Sequence, residues 1–281
     1  MSPSTESERR WAVVLGCSWG TGAAICRHLA REPGLHIYGI HRGNYPDAAA
    51  ALAADVEASG RRALIRVGEA GKFEHIEGAA DEMLAALGPK SVHILVHSIA
   101  NASVGYLVHG EPKLHPKQFN KTFESMSHSF VYWARALVER DLMAPGGRIL
   151  ALTNAVTQSN LSNLSAIAAS KAALEMYVKY MAWEVGPLGL RVNALRFGTV
   201  ETAALQHVFK PEVWDQVKEL HDQMFPAGRM NTLEEVAAFV AVLAGDAGAW
   251  FNGATIDFTG GQMQSLYQLM MDRLLAGLNQ E

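Results

Sequence analysis

Short apolar runs alternate along the chain with longer segments in which apolar residues recur every three or four positions. The short runs predict buried strands, which lie at 11–15, 36–40, 63–67, 92–96, 148–152, 191–196 and 254–258. The longer segments predict helices at 23–32, 47–59, 74–87, 116–140, 161–185 and 232–243. This alternation predicts an α/β fold, a doubly wound (Rossmann) seven-stranded parallel sheet in a single domain.

The predicted domain spans residues 9–264. The first eight residues are polar and are expected to be disordered. Residues 265–281 are apolar at helical spacing, which predicts a C-terminal helical tail that packs on the core or on a neighbouring subunit. The segment at about 199–229 is rich in Met, Phe, His and Trp, which predicts a mobile substrate lid. A pair of surface helices that pack on the core is the alternative.

The composition limits the class of protein. The chain has 281 residues, of which 49% are hydrophobic and 19% charged, and its formal net charge is −4. This balance is typical of a globular protein and argues against a nucleic-acid partner, which needs a basic surface. The cysteines Cys17 and Cys26 have no framework spacing, which indicates a reducing compartment. The polar start and the lack of a membrane-length apolar run favour a cytoplasmic protein without a membrane partner. No metal site is predicted.

A glycine-rich loop follows the first strand and opens the first helix, the position at which such loops bind a dinucleotide. Its glycines allow a pyrophosphate to approach the backbone, and the helix start supplies free N–H groups. A tight turn without a ligand is the alternative. The residues predicted to bind the cofactor here are Gly16, Ser18, Trp19, Gly20, Thr21 and Gly22.

The end of the second strand favours NADPH over NADH. That strand ends in His41 and Arg42, and no acid is present there for a ribose 2′-hydroxyl. An arginine at this place accommodates a 2′-phosphate, although Arg42 could also be a solvated loop residue. Glu69 follows the third strand, where it could bind the adenine amine.

Two further positions border the predicted ligand crevice. Ser98, Ile99 and Ala100 follow the fourth strand, at the edge where ligands bind in sheets of this kind. His97, just before them, is interpreted as a core histidine with one satisfied nitrogen rather than as a catalytic group. Lys171 lies on a helix rich in Ala, Leu and Met, which indicates either a snorkelling surface lysine or a functional one.

These motifs resemble those of the short-chain dehydrogenases/reductases over about residues 11–264. The spacing Gly16-x3-Gly20-x-Gly22 matches that family's cofactor loop. LVHSIA at 95–100, SKAALEMYVKYMAWEVGPLGLRVNAL at 170–195 and the following Gly198 to Thr202 resemble the enoyl-acyl-carrier-protein reductase branch. The resemblance implies hydride transfer from a nicotinamide to the β-carbon of a 2-enoyl thioester, usually in a homotetramer. It also assigns Lys171 to the nicotinamide ribose and Gly198, Val200 and Thr202 to the cofactor.

The chain departs from the family at the catalytic tyrosine. The tyrosine position of ordinary members holds Ile167, and that of the enoyl-reductase branch holds Leu164. Asn154 occupies the place of a second tyrosine of that branch, and Thr199 replaces a proline. The cofactor loop follows the ordinary glycine pattern rather than that of the branch.

The candidates for the missing donor are the Asn154 amide, the Ser165 hydroxyl, Tyr106, or a cofactor ribose hydroxyl positioned by Lys171. The sequence does not decide among these four candidates. Without the tyrosine, ketone reduction lacks its proton donor, a contribution of roughly 10²–10⁴-fold. An enolate formed from an enoyl thioester can instead be stabilised by another hydrogen-bond donor.

We therefore predict an NADPH-dependent enoyl-thioester reductase without a tyrosine acid. Its predicted partner is an acyl thioester carried on coenzyme A or on acyl carrier protein, and Lys210 and Arg229 are too few basic residues to decide between them. The lid's apolar residues suggest an acyl or alicyclic group, as in enoyl-CoA reductases of the cyclohexenylcarbonyl-CoA type; they are Val200, Ala203, Ala204, Leu205, Val208 and Phe209. A non-catalytic NADPH-binding protein and a redox-neutral isomerase or lyase are the alternatives.

Overall fold

The seven predicted strands form one parallel sheet in the computed structural model of the protein, which describes residues 10–161, 163–202, 205 and 211–278. Their spatial order is β3-β2-β1-β4-β5-β6-β7. The strands are β1 (Arg10–Leu15), β2 (Leu35–His41), β3 (Ala63–Val67), β4 (Val92–His97), β5 (Met143–Asn154), β6 (Arg191–Phe197) and β7 (Thr255–Phe258). The order reverses between β1 and β4, so the ligand crevice of such a sheet is expected beyond the carboxyl ends of these strands.

Helices cover both faces of the sheet. They are α1 (Gly20–Leu29), α2 (Pro46–Ala58), α3 (Phe73–Leu87), α4 (Pro116–Phe123), α5 (Ser129–Glu139), α6 (Ser165–Val185), α7 (Trp214–Gln223), α8 (Leu233–Ala244) and α9 (Leu266–Leu278). One apolar core lies between the sheet and α3, α5 and α6, and a second lies between the sheet and α1, α2 and α8. The predicted doubly wound single domain is thus confirmed.

The predicted helix at 116–140 is interrupted. Its middle, Glu124–His128, is a π-helical segment between α4 and α5. Three serine hydroxyls bond back along the chain here. The Oγ atoms of Ser125, Ser127 and Ser129 each lie 2.8 Å from the carbonyl oxygen four residues earlier. Hydroxyls bonded back in this way compete with the backbone ladder, which accounts for the local widening that apolar spacing alone did not predict.

The main boundary differences from the prediction concern α1, β5 and α6. Helix α1 spans Gly20–Leu29 instead of residues 23–32. Strand β5 begins at Met143 instead of residue 148, because Met143 already pairs with Val92 across a register shift. Helix α6 begins at Ser165 instead of residue 161, and Leu164 is its N-cap. In the predicted lid, residues 214–223 form the amphipathic helix α7, which an ion pair between Lys218 and Asp222 supports.

Some predictions fall outside the described residues. These are the disordered first eight residues and, in the lid, Ala203, Ala204, Val208, Phe209 and Lys210. The predicted tail is the helix α9, and Arg273 on it donates a 2.8 Å hydrogen bond to Gln223 of α7. Across the ranges that the structure describes, no helix combines the length and the apolarity needed to cross a membrane.

Candidate functional site

The glycine loop between β1 and α1 is shaped to receive an anion. A Cβ on Gly16 would lie 2.3 Å from the Ser98 carbonyl oxygen, and one on Gly22 would lie 2.1 Å from the Gly16 carbonyl oxygen, so both positions exclude larger residues. Gly20, in contrast, faces open space with φ +57°. The N-cap Trp19 makes no side-chain capping bond, and the first turn of α1 contains no acid. The first N–H groups of α1 are therefore available to a phosphate.

Arg42, at the end of β2, reaches across the sheet. Its Nη1 donates a 2.9 Å hydrogen bond to Oδ1 of Asn101, which follows β4. In the loops that follow β1 and β2, the Trp19 and Tyr45 rings stack with centroids 5.8 Å apart, and each residue is about half exposed. A cation and an aromatic pair thus flank the adenosine end of the predicted cofactor site. Glu69 lies after β3 on the same edge of the sheet.

Lys171 is buried, with 4% of the residue exposed, which excludes the snorkelling interpretation. Its Nζ donates a 2.7 Å hydrogen bond to the carbonyl oxygen of Leu152 near the end of β5. Burial lowers the pKa of the ammonium to about 8, and the carboxylate of Glu175 acts in the opposite direction. Lys171 therefore remains predominantly charged at neutral pH and lies against the strand end that carries Asn154.

Asn154 is the last residue of β5 and is half-buried. Its Oδ1 accepts a 3.2 Å hydrogen bond from the N–H of Val156, in the 3-10 turn Ala155–Gln158 that follows the strand. Because a backbone N–H can only donate, this contact fixes which end of the amide is the oxygen. The amide Nδ2 has no acceptor within the described ranges of the chain.

The other two candidate donors differ in their surroundings. The Tyr106 ring packs beneath Gly110, and its backbone bonds to Pro112 and Leu114 within the loop after β4. Ser165 begins α6, and its hydroxyl oxygen is buried with no hydrogen-bond partner in the part of the chain that the structure describes. The N–H of Gly105 donates to the carbonyl oxygen of Asn163 at 2.9 Å, so this loop contacts the segment that enters α6. The catalytic roles of Tyr106 and Ser165 stay predictions.

Thr199 shows why the family proline is dispensable here. Its N–H donates to Gln262 Oε1 at 2.9 Å, and its hydroxyl accepts from Gln262 Nε2 at 2.7 Å. Proline has no N–H and no hydroxyl, so it could make neither bond. The buried Gln262 thereby holds the segment Gly198–Thr202 at the carboxyl end of β6, where the nicotinamide end of the cofactor is predicted.

His97 is a core residue, as predicted. Its Nε2 lies 2.8 Å from the hydroxyl oxygen of Ser129, which donates its own hydrogen to the Ser125 carbonyl oxygen. The Nε2 therefore carries the proton. Burial, reinforced by the charge of Lys171, lowers the pKa of His97 to about 3, so its ring is neutral.

Glu175, which lies one helical turn after Lys171, was not among the site residues predicted from the sequence. Its carboxylate is largely buried beneath the end of β5 and is bonded to Thr153, Thr157 and Arg196. The spacing from Lys171, i to i+4, was the available signal, because it places both side chains on the same face of α6.

The cofactor loop, the buried lysine and the strand order together agree with comparison to known proteins. A family model described as enoyl-(acyl carrier protein) reductase matches residues 16–262. The chain belongs to this family of short-chain dehydrogenases/reductases. The membership expected from the motifs is thus confirmed.

The relatives of this reductase-family chain include proteins named for different activities. The 1-cyclohexenylcarbonyl-CoA reductase of Streptomyces collinus is 27% identical over 257 residues, which are 92% of this chain and 88% of the relative. An NADPH-dependent aldehyde reductase-like chloroplastic protein of Arabidopsis thaliana is 30% identical over 263 residues, 90% and 93% of the two chains. A solved short-chain dehydrogenase of Burkholderia cenocepacia, in complex with NADP, has a TM-score of 0.78 at 25% identity and covers 91% and 98%.

Proposed function

We propose that this reductase-family protein transfers hydride from NADPH to the β-carbon of a 2-enoyl thioester. The observation that carries the proposal is the combination of aliphatic residues at both tyrosine positions with an Asn154 amide whose Nδ2 has no acceptor among the residues that the structure describes. Such a site lacks the phenol that protonates an alkoxide but offers a donor to an enolate oxygen. The family membership and the relative that reduces a cyclohexenylcarbonyl-CoA support the same chemistry.

NADPH is the cofactor. The Arabidopsis relative is NADPH-dependent, and the Burkholderia structure holds NADP. The residues of this chain fit that group, because Gly16 and Gly22 leave the backbone bare, α1 has uncapped N–H groups, and Arg42 occupies the end of β2 where an acid would repel a 2′-phosphate. When bound, NADPH supplies the hydride for the reaction.

The chain's own residues orient the substrate and stabilise charge. In the proposed reaction, Asn154 Nδ2 donates to the thioester oxygen on which negative charge develops. The Lys171 ammonium raises the local positive potential and holds the ribose end of the cofactor. Losing one such donor costs about 3–4 kcal/mol in transition-state stabilisation. Ser165 is the alternative donor. Its buried hydroxyl has no hydrogen-bond partner among the described residues and could therefore donate to the substrate.

The proposed substrate is an acyl or alicyclic thioester carried on coenzyme A. The Streptomyces relative acts on a cyclic acyl-CoA, and this supports coenzyme A over acyl carrier protein. Acyl carrier protein is the alternative carrier.

The test is NADPH oxidation followed by absorbance with straight-chain and cyclic 2-enoyl-CoA thioesters, against 3-ketoacyl-CoA and aldehyde controls. We expect turnover with enoyl thioesters only, and a loss of at least roughly 100-fold in Asn154→Ala. Turnover with aldehydes alone would favour aldehyde reduction, the activity for which the Arabidopsis relative is named. Tight NADPH binding with no oxidation by any substrate would favour a cofactor-binding protein or a redox-neutral enzyme.

We also propose that the protein works as a homotetramer. Helix α6 exposes Met176, Tyr180 and Trp183 at spacings of four and three residues, and 87% of Trp183 is accessible. Residues three or four positions apart lie on the same face of a helix, so these three side chains share one face of α6. An apolar face of this kind is typical of a surface that associates with another chain.

A further inference from the structure

A cluster of charged side chains, two of them largely buried, lies next to the segment that carries Asn154. Glu175 of α6 and Arg196 of β6 form an ion pair in which Arg196 Nη2 lies 2.6 Å from Glu175 Oε2, and both side chains are about 15% exposed. Asp257 at the end of β7 extends the cluster, with its Oδ2 3.9 Å from Arg196 Nη1. Charged side chains are rarely buried unless they are paired, so this cluster calls for a role.

The remaining contacts of Glu175 lead to the strand end that carries Asn154. Thr153 Oγ1 donates to Glu175 Oε1 at 2.9 Å, and Thr157 Oγ1 lies 3.1 Å from the same oxygen. Thr153 precedes Asn154, and Thr157 lies in the turn that follows it. One carboxylate oxygen therefore holds the chain on both sides of the residue proposed to contact the substrate.

We propose that Glu175 is a positioning residue for the reducing site, which fixes the backbone around Asn154 and stabilises the ammonium form of Lys171. The inference rests on the proposed function, in which these two residues contact substrate and cofactor. Glu175 touches neither reactant and acts through its neighbours.

The electrostatic part of this role follows from the groups around Lys171. Glu175 on α6 is the acid that opposes the effect of burial on the pKa of Lys171. On β4, His97 is neutral and adds no charge. Among the described residues of β6 and β7, Arg196 pairs with Glu175, and Asp257 pairs in turn with Arg196. Removing the carboxylate therefore lowers the pKa of Lys171 below about 8, and the ammonium is lost at a lower pH than in the wild type.

The experiment measures NADPH affinity and enoyl-thioester turnover from pH 6 to pH 9 in the full-length protein and in Glu175→Gln. We expect the high-pH limb of both profiles to move down by about one pH unit. The ratio of wild-type to variant turnover should then rise on the order of fivefold between pH 6 and pH 8.5. Looser positioning of Asn154 adds a loss in kcat at every pH, with a smaller change in KM for NADPH.

Glu184→Gln is the matched control, because it removes the same charge from an exposed position on the same helix. Its pH profiles should coincide with those of the wild type. Glu175→Asp keeps the negative charge, so its high-pH limb should return to the wild-type position. Coincident pH profiles for wild type and a folded Glu175→Gln would overturn the inference. A wild type that binds NADPH but reduces no enoyl thioester would instead refute the proposed function, while NADPH affinity would still test Glu175.

A second variant covers the case in which Glu175→Gln does not fold. Breaking one partner of a buried ion pair leaves the other charge unpaired, whereas replacing both is often tolerated. The double variant Glu175→Gln/Arg196→Gln removes the carboxylate without stranding Arg196. Its high-pH limb should also lie below that of the wild type, and an unchanged limb would contradict the assignment.

Discussion

Lys171 holds an ammonium group in a position where only 4% of the residue is exposed. Burial lowers its pKa from 10.5 to about 8, so the folded protein binds this proton less tightly than the unfolded chain does. Below about pH 8 both states are charged and the folded state bears the full cost of burial. Between pH 8 and 10.5 only the unfolded chain keeps the proton, and stability rises with pH. The site thus maintains a charge at the expense of stability.

The variant Lys171→Met should consequently be more stable and inactive. The lowered pKa means that holding the charged lysine in the fold costs about 3 kcal/mol of stability at pH 7. The variant recovers this cost but loses the hydrogen bond to Leu152, which contributes about 1 kcal/mol. We expect a gain of about 2 kcal/mol in the free energy of unfolding at pH 7 that shrinks as the pH rises toward 10.5. Urea denaturation at both pH values measures it. A variant less stable than wild type at pH 7 would contradict the burial of a charged lysine.

Single residues differ in how far the sequence alone could predict them. Lys171 was recognisable because a lysine on an apolar helix stands out against its neighbours. The partners of Glu175 were not, because they lie 18 to 22 residues away in sequence and meet it only when β5, β6 and α6 pack. The pairing of Thr199 with Gln262 spans 63 residues and was hidden for the same reason.

The strand-loop-helix unit β1-α1 was predicted as a unit, although α1 begins at Gly20 instead of residue 23. Its glycines, flanking strand and helix are local in sequence, so the pattern contains nearly all the information needed. The π-helical segment Glu124–His128 was not predicted, since it depends on how the serine hydroxyls orient within a helix whose apolar spacing looks regular. Helix α7 lies in the segment predicted as a mobile lid, for which surface helices were the alternative interpretation, because its residues suit both.

Gly22→Ala tests the glycine loop. The new Cβ would lie 2.1 Å from the Gly16 carbonyl oxygen, so the backbone that cradles the pyrophosphate must shift. We expect NADPH affinity to fall by roughly tenfold or more, or about 1.4 kcal/mol in binding free energy. Gly78→Ala in α3, where nothing lies within 4 Å, is the control. It should leave affinity unchanged and stabilise the protein by about 0.5–1 kcal/mol. Equal affinities in both variants would contradict the assigned loop.

At the scale of the whole molecule, the residues predicted to bind cofactor and substrate lie at one edge of the sheet, while the exposed apolar residues of α6 lie on the outer face of that helix. The carboxyl ends of β1, β2, β4, β5 and β6 supply the residues described above. Met176, Tyr180 and Trp183 remain accessible on the outside. This separation allows subunits to associate through α6 without covering the crevice.

Trp183→Glu tests that association. A charge placed in the proposed apolar interface should dissociate the tetramer into smaller species, because its burial would be unpaired. Ala54→Glu, on the exposed side of α2, is the control and should leave the mass unchanged. Light scattering with size-exclusion chromatography gives the masses. A tetrameric Trp183→Glu variant, or a wild type that is monomeric at micromolar concentration, would contradict the proposal.

The central claim is that hydride goes to a β-carbon, and the position of the transferred atom tests it most directly. NADPH deuterated on the transferred side of the nicotinamide is incubated with a 2-enoyl-CoA and, separately, with an aldehyde, and the products are analysed by mass spectrometry and NMR. We predict one deuterium at C3 of a saturated acyl-CoA and no labelled alcohol. Deuterium at a former carbonyl carbon, with the enoyl-CoA returned unreduced, would contradict the account and assign the protein to carbonyl reduction.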